Sequence, residues 1–334
     1  MNKKHSKAAA PKPWWIKVLG WMTAFCLLMV IAAAVGAWMV YDRFSQGLPR
    51  INTLTDYNPP AVTAVFSNDG RKIAEFFKER RIVAPLSDIP LTLVNAFIAA
   101  EDARFYQHEG VDLVSITRAF FKNLEAGSVV QGGSTITQQV TKSFLLTPEK
   151  TYSRKLKEAI LAYRIDKTFS KEEILYLYLN QIYLGHGAYG VAAAAENYFD
   201  KSIRDLTLAE CAVIAGLPQA PSRYSPYKNP DLARKRQKYV LARMVENRFI
   251  TQAEADAALK MELDVRPREN LYLETAPYFT EHVRRYVVDK YGEEALYNGG
   301  LKIYTTVDIE LQEAARRAVD TGLRDLDKRH FGDR

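Results

Sequence analysis

The chain has 334 residues, of which 48% are hydrophobic and 25% are charged, and its formal net charge is +7. These proportions are typical of a globular protein with one large core or two modest ones, and they exclude disorder over most of the length. The positive charge suits nucleic acid, anionic lipid headgroups or a phosphorylated substrate, and it does not choose between them.

The first predicted element is a membrane-spanning helix over residues 18–41. No charged residue occurs from Val18 to Tyr41, and about 24 residues in a helix are enough to cross the hydrocarbon core of a bilayer. Before this span lies an excess of lysines, at Lys3, Lys4, Lys7, Lys12 and Lys17. We therefore predict a cytoplasmic tail over 1–17 and a single pass through the cytoplasmic (inner) membrane, with the remainder outside, on the periplasmic face. The alternative is a cleaved signal peptide, because small residues occur from Ala32 to Ala34.

The next segments are a stalk and a hairpin. Residues 42–60 contain three prolines and are interpreted as the stalk. The turn signal Asn68-Asp69-Gly70 separates two apolar runs, over 62–66 and 72–76, and predicts an antiparallel β-hairpin.

From about residue 88 the pattern becomes helical. Three capping boxes of the form Ser/Thr-x-x-Glu predict helix starts at Ser170, Thr207 and Thr251, and Pro230 suits a first helical position. We predict a mainly α domain over 61–261, with the small hairpin at its N-terminal end. Residues 262–334 are predicted to be an α+β fragment, with an extended run over 263–267, a strand over 300–307 and a last helix capped by Asp308.

The string from Glu101 to Gly110 is the first that suggests chemistry. In a helix predicted over 93–106, Glu101, Phe105 and His108 share one face, while Asp102 points to the side. Loss of solvation beside an aromatic ring raises the pKa of Glu101 toward a value useful for a general base. The alternative is a solvent-facing acidic pair at the end of an ordinary helix.

The second string runs from Gly132 to Gln139. Two glycines followed by Ser134 and Thr135 predict a turn into a helix, whose free N–H groups and hydroxyls suit an anion. Lys142 follows within two turns and adds a positive charge. The alternative is an ordinary capped helix, and the spacing is not that of a nucleotide-binding P-loop.

The third string contains Arg154, Lys155 and Glu158. On a helix, both cations are close enough in sequence to reach the same carboxylate. The alternative is a surface ion pair worth about 0.3–0.5 kcal/mol.

The joint order of these strings outweighs the three separate alternatives. The sequence resembles the family 51 peptidoglycan glycosyltransferases, in particular the glycosyltransferase part of class A (1A-type) penicillin-binding proteins. The resemblance covers about residues 60–260 and includes two further strings, at 173–180 and 216–224. Members commonly have Glu where this chain has Tyr176, which weakens any role for that position.

The resemblance implies a lysozyme-like fold and the polymerisation of lipid II into glycan strands, with release of a polyprenyl pyrophosphate and inversion at the anomeric carbon. Glu101 would deprotonate the acceptor 4-hydroxyl. Glu158 would act at the leaving pyrophosphate, directly or through a divalent cation, Mg²⁺ or Mn²⁺. Further positions match residues that the family uses for binding or orientation: Asp102, Phe105, His108, Ser134, Thr135, Gln139, Lys142, Arg154, Lys155 and Asn180.

The charges of this set agree with such a reaction. A pyrophosphate leaves once its charge is neutralised, and Lys142, Arg154 and Lys155 meet that need. A divalent ion is expected as well, since hard cations prefer carboxylate and phosphate oxygens. The expected partners are lipid II, the nascent glycan strand, the bilayer and other cell-wall synthesis proteins, and not nucleic acid.

Two rival functions remain. A membrane-anchored muramidase-type hydrolase also uses two carboxylates, but a carboxylate between Arg154 and Lys155 is poorly suited to donate a proton. A non-catalytic cell-wall scaffold has no need to keep Glu101, Lys142, Arg154 and Glu158 together.

Two further segments concern transpeptidase activity and contact with the membrane. Ser225-Pro226-Tyr227-Lys228 satisfies Ser-x-x-Lys, but it lies in a proline-rich connector and is interpreted as chance. We therefore expect no transpeptidase activity from this chain, and we interpret 262–334 as a linker toward a transpeptidase domain that is absent or truncated. Phe120, Phe121 and Leu124 lie on an amphipathic segment that either dips into the membrane surface or packs in the core.

Overall fold

The computed structural model describes residues 14–46, 48, 61–128, 132–144, 151–266 and 275–332. Helix α1 spans Trp14–Ser45, and its part Val18–Ser45 is long and apolar enough to cross a membrane, with a mean hydropathy of 2.4 and its most apolar 18 residues unburied. Most of the predicted cytoplasmic tail and stalk lie outside the described residues. Near its C-terminal end α1 contacts a later helix, where Arg164 donates two hydrogen bonds to the hydroxyl of Tyr41, at 3.1 and 3.2 Å.

The described residues between 91 and 260 are mainly helical. Its α-helices are α2 (Leu91–Glu101), α3 (Leu113–Ala126), α4 (Ile136–Phe144), α5 (Tyr152–Thr168), α6 (Lys171–Gln181), α7 (Val191–Phe199), α8 (Leu208–Gly216), α9 (Pro230–Glu246) and α10 (Gln252–Lys260). All three predicted capping boxes are present, at the starts of α6, α8 and α10. Pro230 is the first residue of α9, as predicted.

The main hydrophobic core lies among these helices. Helices α7 and α8 are buried along almost their whole length, because small alanines let neighbouring helices approach closely. Large side chains fill the space between them, with Phe97, Tyr178 and Tyr198 fully buried. The mainly α fold predicted from the sequence is confirmed.

A second, smaller core forms around a three-stranded sheet. Strands β1 (Thr63–Phe66) and β2 (Lys72–Phe76) are the predicted antiparallel hairpin, and β5 (Lys302–Tyr304) pairs in parallel with β1. Helix α11 (Pro277–Asn298), which kinks at Gly292, packs Val283 and Val287 onto the sheet. The hairpin therefore shares a core with residues beyond 276, although the predicted domain boundary at 261/262 separates them in sequence.

The remaining elements are short or terminal. Strands β3 (Arg80–Arg81) and β4 (Ala188–Tyr189) form a two-stranded parallel sheet. Asp308 caps the last helix, α12 (Ile309–Phe331), as predicted. The extended run predicted over 263–267 does not join a sheet in the residues that are described there, 263–266.

Candidate active site

Glu101 is the last residue of α2, and its side chain is 13% exposed. Gln139, on α4, donates a hydrogen bond from Nε2 to its Oε2 at 2.8 Å. Nη2 of Arg236, on α9, lies 3.7 Å from its Oε1. Burial raises the pKa of Glu101 and outweighs the opposing effects of Gln139, Arg236 and Lys142, while the charge of Asp102 raises it further. This is the direction expected of a general base.

The prediction that Glu101, Phe105 and His108 share a helix face is wrong. Helix α2 ends at Glu101, and Phe105–Gln107 form a separate 3₁₀ turn. The helix ends there because of tertiary contacts. The backbone of Asp102 departs from helical geometry, and its carboxylate bonds to His108 and to the backbone N–H of Ile136. Phe105 is fully buried beneath the ammonium of Lys171, 4.8 Å from its ring centre.

Asp102 holds the start of α4 in place. Its Oδ2 accepts a hydrogen bond from the backbone N–H of Ile136 at 3.0 Å, and both of its oxygens lie 3.0 Å from Nε2 of His108. The hydroxyl of Thr135 donates to the carbonyl of Gly110 at 2.6 Å and accepts from the N–H of Gln138. The helix start predicted to receive an anion is therefore partly occupied by the protein's own carboxylate and hydroxyl.

A cationic cluster surrounds Glu158 on α5. This carboxylate is fully buried, with Nη2 of Arg154 at 3.3 Å and Nζ of Lys155 at 3.0 Å. Lys155 also donates a hydrogen bond to Oγ of Ser134 at 2.8 Å, which joins the second string to the third. The alternative of a solvent-exposed surface ion pair is wrong, because Glu158 has no contact with solvent.

Lys142 connects the two carboxylates electrostatically. It lies on α4. Loss of solvation lowers its pKa, and the charges of Lys155 and Arg154 lower it further, against the attraction of Glu158 and Glu101. Lys142 is thus electrostatically coupled to both carboxylates of the site.

Five of the residues predicted for binding or orientation are buried beside the site. Asp102, Phe105, His108, Thr135 and Asn180 are buried. Asn180, for example, exchanges hydrogen bonds with the backbone of Ala84, at 2.8 and 3.0 Å. Asp102, Thr135 and Asn180 bond to the protein itself, and the role of these five residues in binding or orientation stays a prediction. Ser134, Gln139, Lys142, Arg154 and Lys155 are less buried and stay as predicted ligands.

Sequence reasoning missed two neighbours of Glu101. Arg236 belongs to a polar stretch of α9 with several cations, and nothing local distinguishes it from them. Tyr178, on α6, is buried with its hydroxyl unpaired among the described residues. Its burial raises its pKa well above the usual value, and the charges of Glu101 and Asp102 add to that shift. The spacing of Tyr178 in an apolar helix predicts only a core residue.

The donor set does not fit a resident divalent metal ion. Within the described ranges, no three His, Cys, Asp or Glu side chains come together. Glu158 has two cations in contact, and their positive charge opposes the approach of a divalent ion to this carboxylate.

Ser225, the serine of the Ser-x-x-Lys string, is poorly placed to attack a β-lactam. It is fully buried in the connector before α9, and its hydroxyl is hydrogen-bonded to Nε2 of His186 at 2.7 Å.

The site therefore combines a base and a cationic cluster. Glu101 can accept a proton from a hydroxyl, and Lys142, Arg154 and Lys155 can neutralise an anionic group that leaves.

Comparisons with known proteins agree with this chemistry. The family described as "Transglycosylase" matches residues 69–245. Penicillin-binding protein 1A of Rickettsia felis is 45% identical over 309 residues, which cover 91% of this chain and 39% of that protein. Penicillin-binding protein 1A of Neisseria lactamica is 46% identical over 309 residues, 92% of this chain and 38% of that protein. This chain thus spans about two-fifths of the length of these curated relatives.

Among solved structures, the 2.6 Å crystal structure of penicillin-binding protein 1A from Haemophilus influenzae is 32% identical and has a TM-score of 0.49. The match covers 82% of this chain and 31% of that one.

Proposed function

Because this chain belongs to the transglycosylase family, we propose that it is a peptidoglycan glycosyltransferase that polymerises lipid II into β-1,4-linked glycan strands. It is an inverting enzyme and releases polyprenyl pyrophosphate at each addition. Its relatives are longer proteins, so the activity proposed here is that of the transglycosylase region alone.

One observation carries the proposal: the site has two carboxylates in opposite surroundings. Glu101 is largely withdrawn from solvent and has one cation, Arg236, at 3.7 Å, and its pKa is raised. Glu158 is buried with two cations in direct contact. A transfer from a pyrophosphate needs a proton acceptor at one end and fixed positive charge at the other.

The reaction follows from these positions. Glu101 takes the proton of the acceptor 4-hydroxyl, and the oxygen of that hydroxyl forms a bond to the anomeric carbon of the donor. The bond between that carbon and the pyrophosphate oxygen breaks, and the electron pair leaves with the pyrophosphate. Lys142, Arg154 and Lys155 stabilise the charge that develops there, and Glu158 holds Arg154 and Lys155 in place.

The test is a gel of products formed from labelled lipid II by the purified chain. The wild type is expected to form polymer, and Glu101→Gln to form none, because the amide cannot accept the proton. Glu109→Gln is the matched control, since Glu109 is exposed and pairs with Lys167 at the surface, and it is expected to polymerise normally. Polymer from Glu101→Gln at the wild-type rate would remove Glu101 from its proposed role.

The hydrolase and the scaffold are tested in the same experiment. Shortening of preformed glycan strands by the wild type would favour the muramidase-type hydrolase, and no product from either substrate would favour the scaffold. The surroundings of Glu158 disfavour hydrolysis, because a carboxylate in contact with Arg154 and Lys155 is not placed as a proton donor.

The divalent cation stays a prediction. Among the described residues no three His, Cys, Asp or Glu side chains come together, so no step is assigned to an ion. Omission of Mg²⁺ and Mn²⁺ with addition of a chelator, in the gel assay, measures whether polymer formation needs an ion at all.

The membrane is proposed as a partner of α3 as well as of α1. Phe120 and Phe121 are 62% and 63% exposed, and Leu113 and Leu124 lie exposed on the same helix. An apolar face of this kind suits the membrane surface, where the lipid tail of the substrate lies. The lysine excess before α1 supports an orientation with the N-terminus in the cytoplasm and the site on the periplasmic face.

Phe120→Ser/Phe121→Ser is expected to lose polymerisation of lipid II in liposomes and to keep activity on a water-soluble, short-chain lipid II. Val319→Ser/Leu323→Ser, which removes exposed apolar side chains from α12, is the control and is expected to keep both activities. Equal loss on both substrates would assign Phe120 and Phe121 to packing instead. Partners among other cell-wall synthesis proteins follow from the family resemblance alone.

A further inference from the structure

Arg236 has no role in the reaction proposed above, yet several contacts hold its side chain beside Glu101. It lies on α9, which packs against both α2 and α8. Its side chain is 11% exposed, so its charge is largely withdrawn from water. A buried guanidinium is costly unless an anion or several acceptors face it. In the part of the chain that the structure describes, the one carboxylate within 4 Å of it is that of Glu101.

Three contacts fix the direction of the guanidinium. Its carbon lies 4.4 Å from the ring centre of Tyr239 and 5.6 Å from that of Tyr224. Nε donates a hydrogen bond to the carbonyl of Gly216 at 3.2 Å. Gly216 has to be glycine for this approach, since a Cβ there would lie 2.8 Å from Cγ of Arg236. With Nε bonded to the carbonyl and two tyrosine rings near the guanidinium, Nη2 lies on the side of Glu101.

The two oxygens of Glu101 are then distinct. Oε2 accepts the hydrogen bond from Gln139. Oε1 has Nη2 of Arg236 at 3.7 Å, which is too long for a hydrogen bond and short enough for strong electrostatic attraction. Oε1 therefore keeps a lone pair for the proton of an incoming hydroxyl.

We propose that Arg236 is a positioning residue for the glycosyl transfer: it orients the Glu101 carboxylate so that Oε1 receives the acceptor proton, and it keeps that carboxylate charged. This inference rests on the proposed function and adds a residue to it. Arg236 acts through Glu101 and does not touch the reacting atoms.

Arg236 is the cation that acts mainly on Glu101, as the other groups near this carboxylate show. Gln139 and Lys142 face it from α4, Tyr178 from α6, and Asp102 follows it in sequence. Asp102 and burial raise the pKa of Glu101, whereas Gln139, Arg236 and Lys142 lower it. On α8, Glu210 is bonded to Lys201. Lys142 is shared with Glu158, so Arg236 is the cation committed to Glu101.

The sign of the pH effect follows from this arrangement. A base works when it is deprotonated, so the rate rises with pH through the pKa of Glu101. Removal of a cation that lowers this pKa moves the rise to higher pH. For one cation at this distance, with Gln139 and Lys142 retained, a displacement of about one pH unit is expected.

The experiment compares the wild type with Arg236→Gln, Arg236→Lys and Lys238→Gln in polymerisation rate as a function of pH. Arg236→Gln is expected to move the acidic limb up by about one unit, with a rate about tenfold lower on that limb and recovery at alkaline pH. Arg236→Lys keeps the charge and is expected to stay close to the wild-type limb. Lys238→Gln removes the same charge from the exposed side of α9 and is expected to change nothing. A loss by the same factor at every pH in Arg236→Gln would overturn the inference, as would an unchanged profile.

A second readout needs no substrate. In protein labelled with ¹³C at the glutamate carboxyls, the resonance of Glu101 is assigned as the one that Glu101→Gln lacks, and is then titrated. Its midpoint is expected to be about one unit higher in Arg236→Gln than in the wild type, and an equal midpoint in both would overturn the inference. If the wild type makes no polymer at all, the proposed function fails, and this titration still decides the effect of Arg236.

Discussion

At the scale of single residues, the carboxylates of Glu101 and Glu158 differ in the hydrogen-bond donors and cations that surround them in place of water. Glu101 has one amide donor and one cation at 3.7 Å, so burial determines the direction of its pKa shift. Glu158 has two cations in contact and no exposure. Glu101 is therefore suited to accept a proton, whereas Glu158 is suited to hold two cations in position.

The contact between Lys155 and Glu158 leads to a prediction about the leaving group. Lys155→Met is expected to lower kcat/KM for lipid II about 10²-fold, because one cation that stabilises the pyrophosphate is lost. Lys157→Met is the control, since Lys157 lies on the same helix and has no ion pair with a described residue. Initial rates at several lipid II concentrations measure both variants. An equal loss in the two variants would mean that the charge of α5 as a whole matters, and not that of Lys155.

At the scale of elements, the site depends on how the segment after α2 lies against α4 and α5. Gly110 is the close contact, with φ at 80° and an added Cβ only 2.4 Å from the carbonyl oxygen of Ala162 on α5. Its own carbonyl accepts the hydrogen bond from Thr135 just before α4. One glycine thus brings the Glu101 segment, the start of α4 and the helix of Glu158 together.

Gly110→Ala is therefore expected to destabilise the protein by about 3 kcal/mol, since it combines a left-handed alanine with overpacking. Gly70→Ala is the matched control: Gly70 has φ of 85° and nothing within 4 Å of an added Cβ, so it should cost about 1 kcal/mol. Urea unfolding of both variants measures the difference. Equal costs would show that α5 can move away from residue 110 without penalty.

At the scale of the whole molecule, a buried arginine joins the two cores. Arg80 donates to Glu75 on β2 at 2.9 Å, contacts Glu196 on α7 at 2.5 Å and donates to the carbonyl of Ala193 at 3.3 Å. Arg80 and Glu75 are almost fully buried. The small sheet is therefore tied to the helical core by charge as well as by the chain itself.

Arg80→Met is expected to destabilise the small core by roughly 3 kcal/mol, because Glu75 stays buried and loses the bidentate pair with Arg80 while its pair with Lys72 remains. Amide hydrogen exchange should accelerate in β1, β2 and α11 and stay unchanged in α8 and α9. Arg71→Met removes the exposed pair with Asp69 and should cost at most about 0.5 kcal/mol. Uniform acceleration over both cores would show that they unfold as one unit.

The sequence by itself determined the features that depend on neighbours a few residues apart. The capping boxes at Ser170, Thr207 and Thr251, the hairpin at 68–70 and the apolar helix α1 follow from local hydrogen bonding and from length and composition. The order of the three strings was enough to indicate the family and the cations at 142, 154 and 155. These features can be predicted from the sequence because the interacting groups are only a few residues apart in the chain.

Only the tertiary structure decided which of these residues meet and which are buried. The end of α2 at Glu101 was set by Asp102 binding residues 108 and 136, and the burial of Glu158 by packing of α5. Arg236, 135 positions after Glu101, reaches it because α9 lies against α2. Contacts between residues so far apart in sequence leave no local periodicity, because their geometry is fixed by the packing of whole helices and not by the spacing of residues within one.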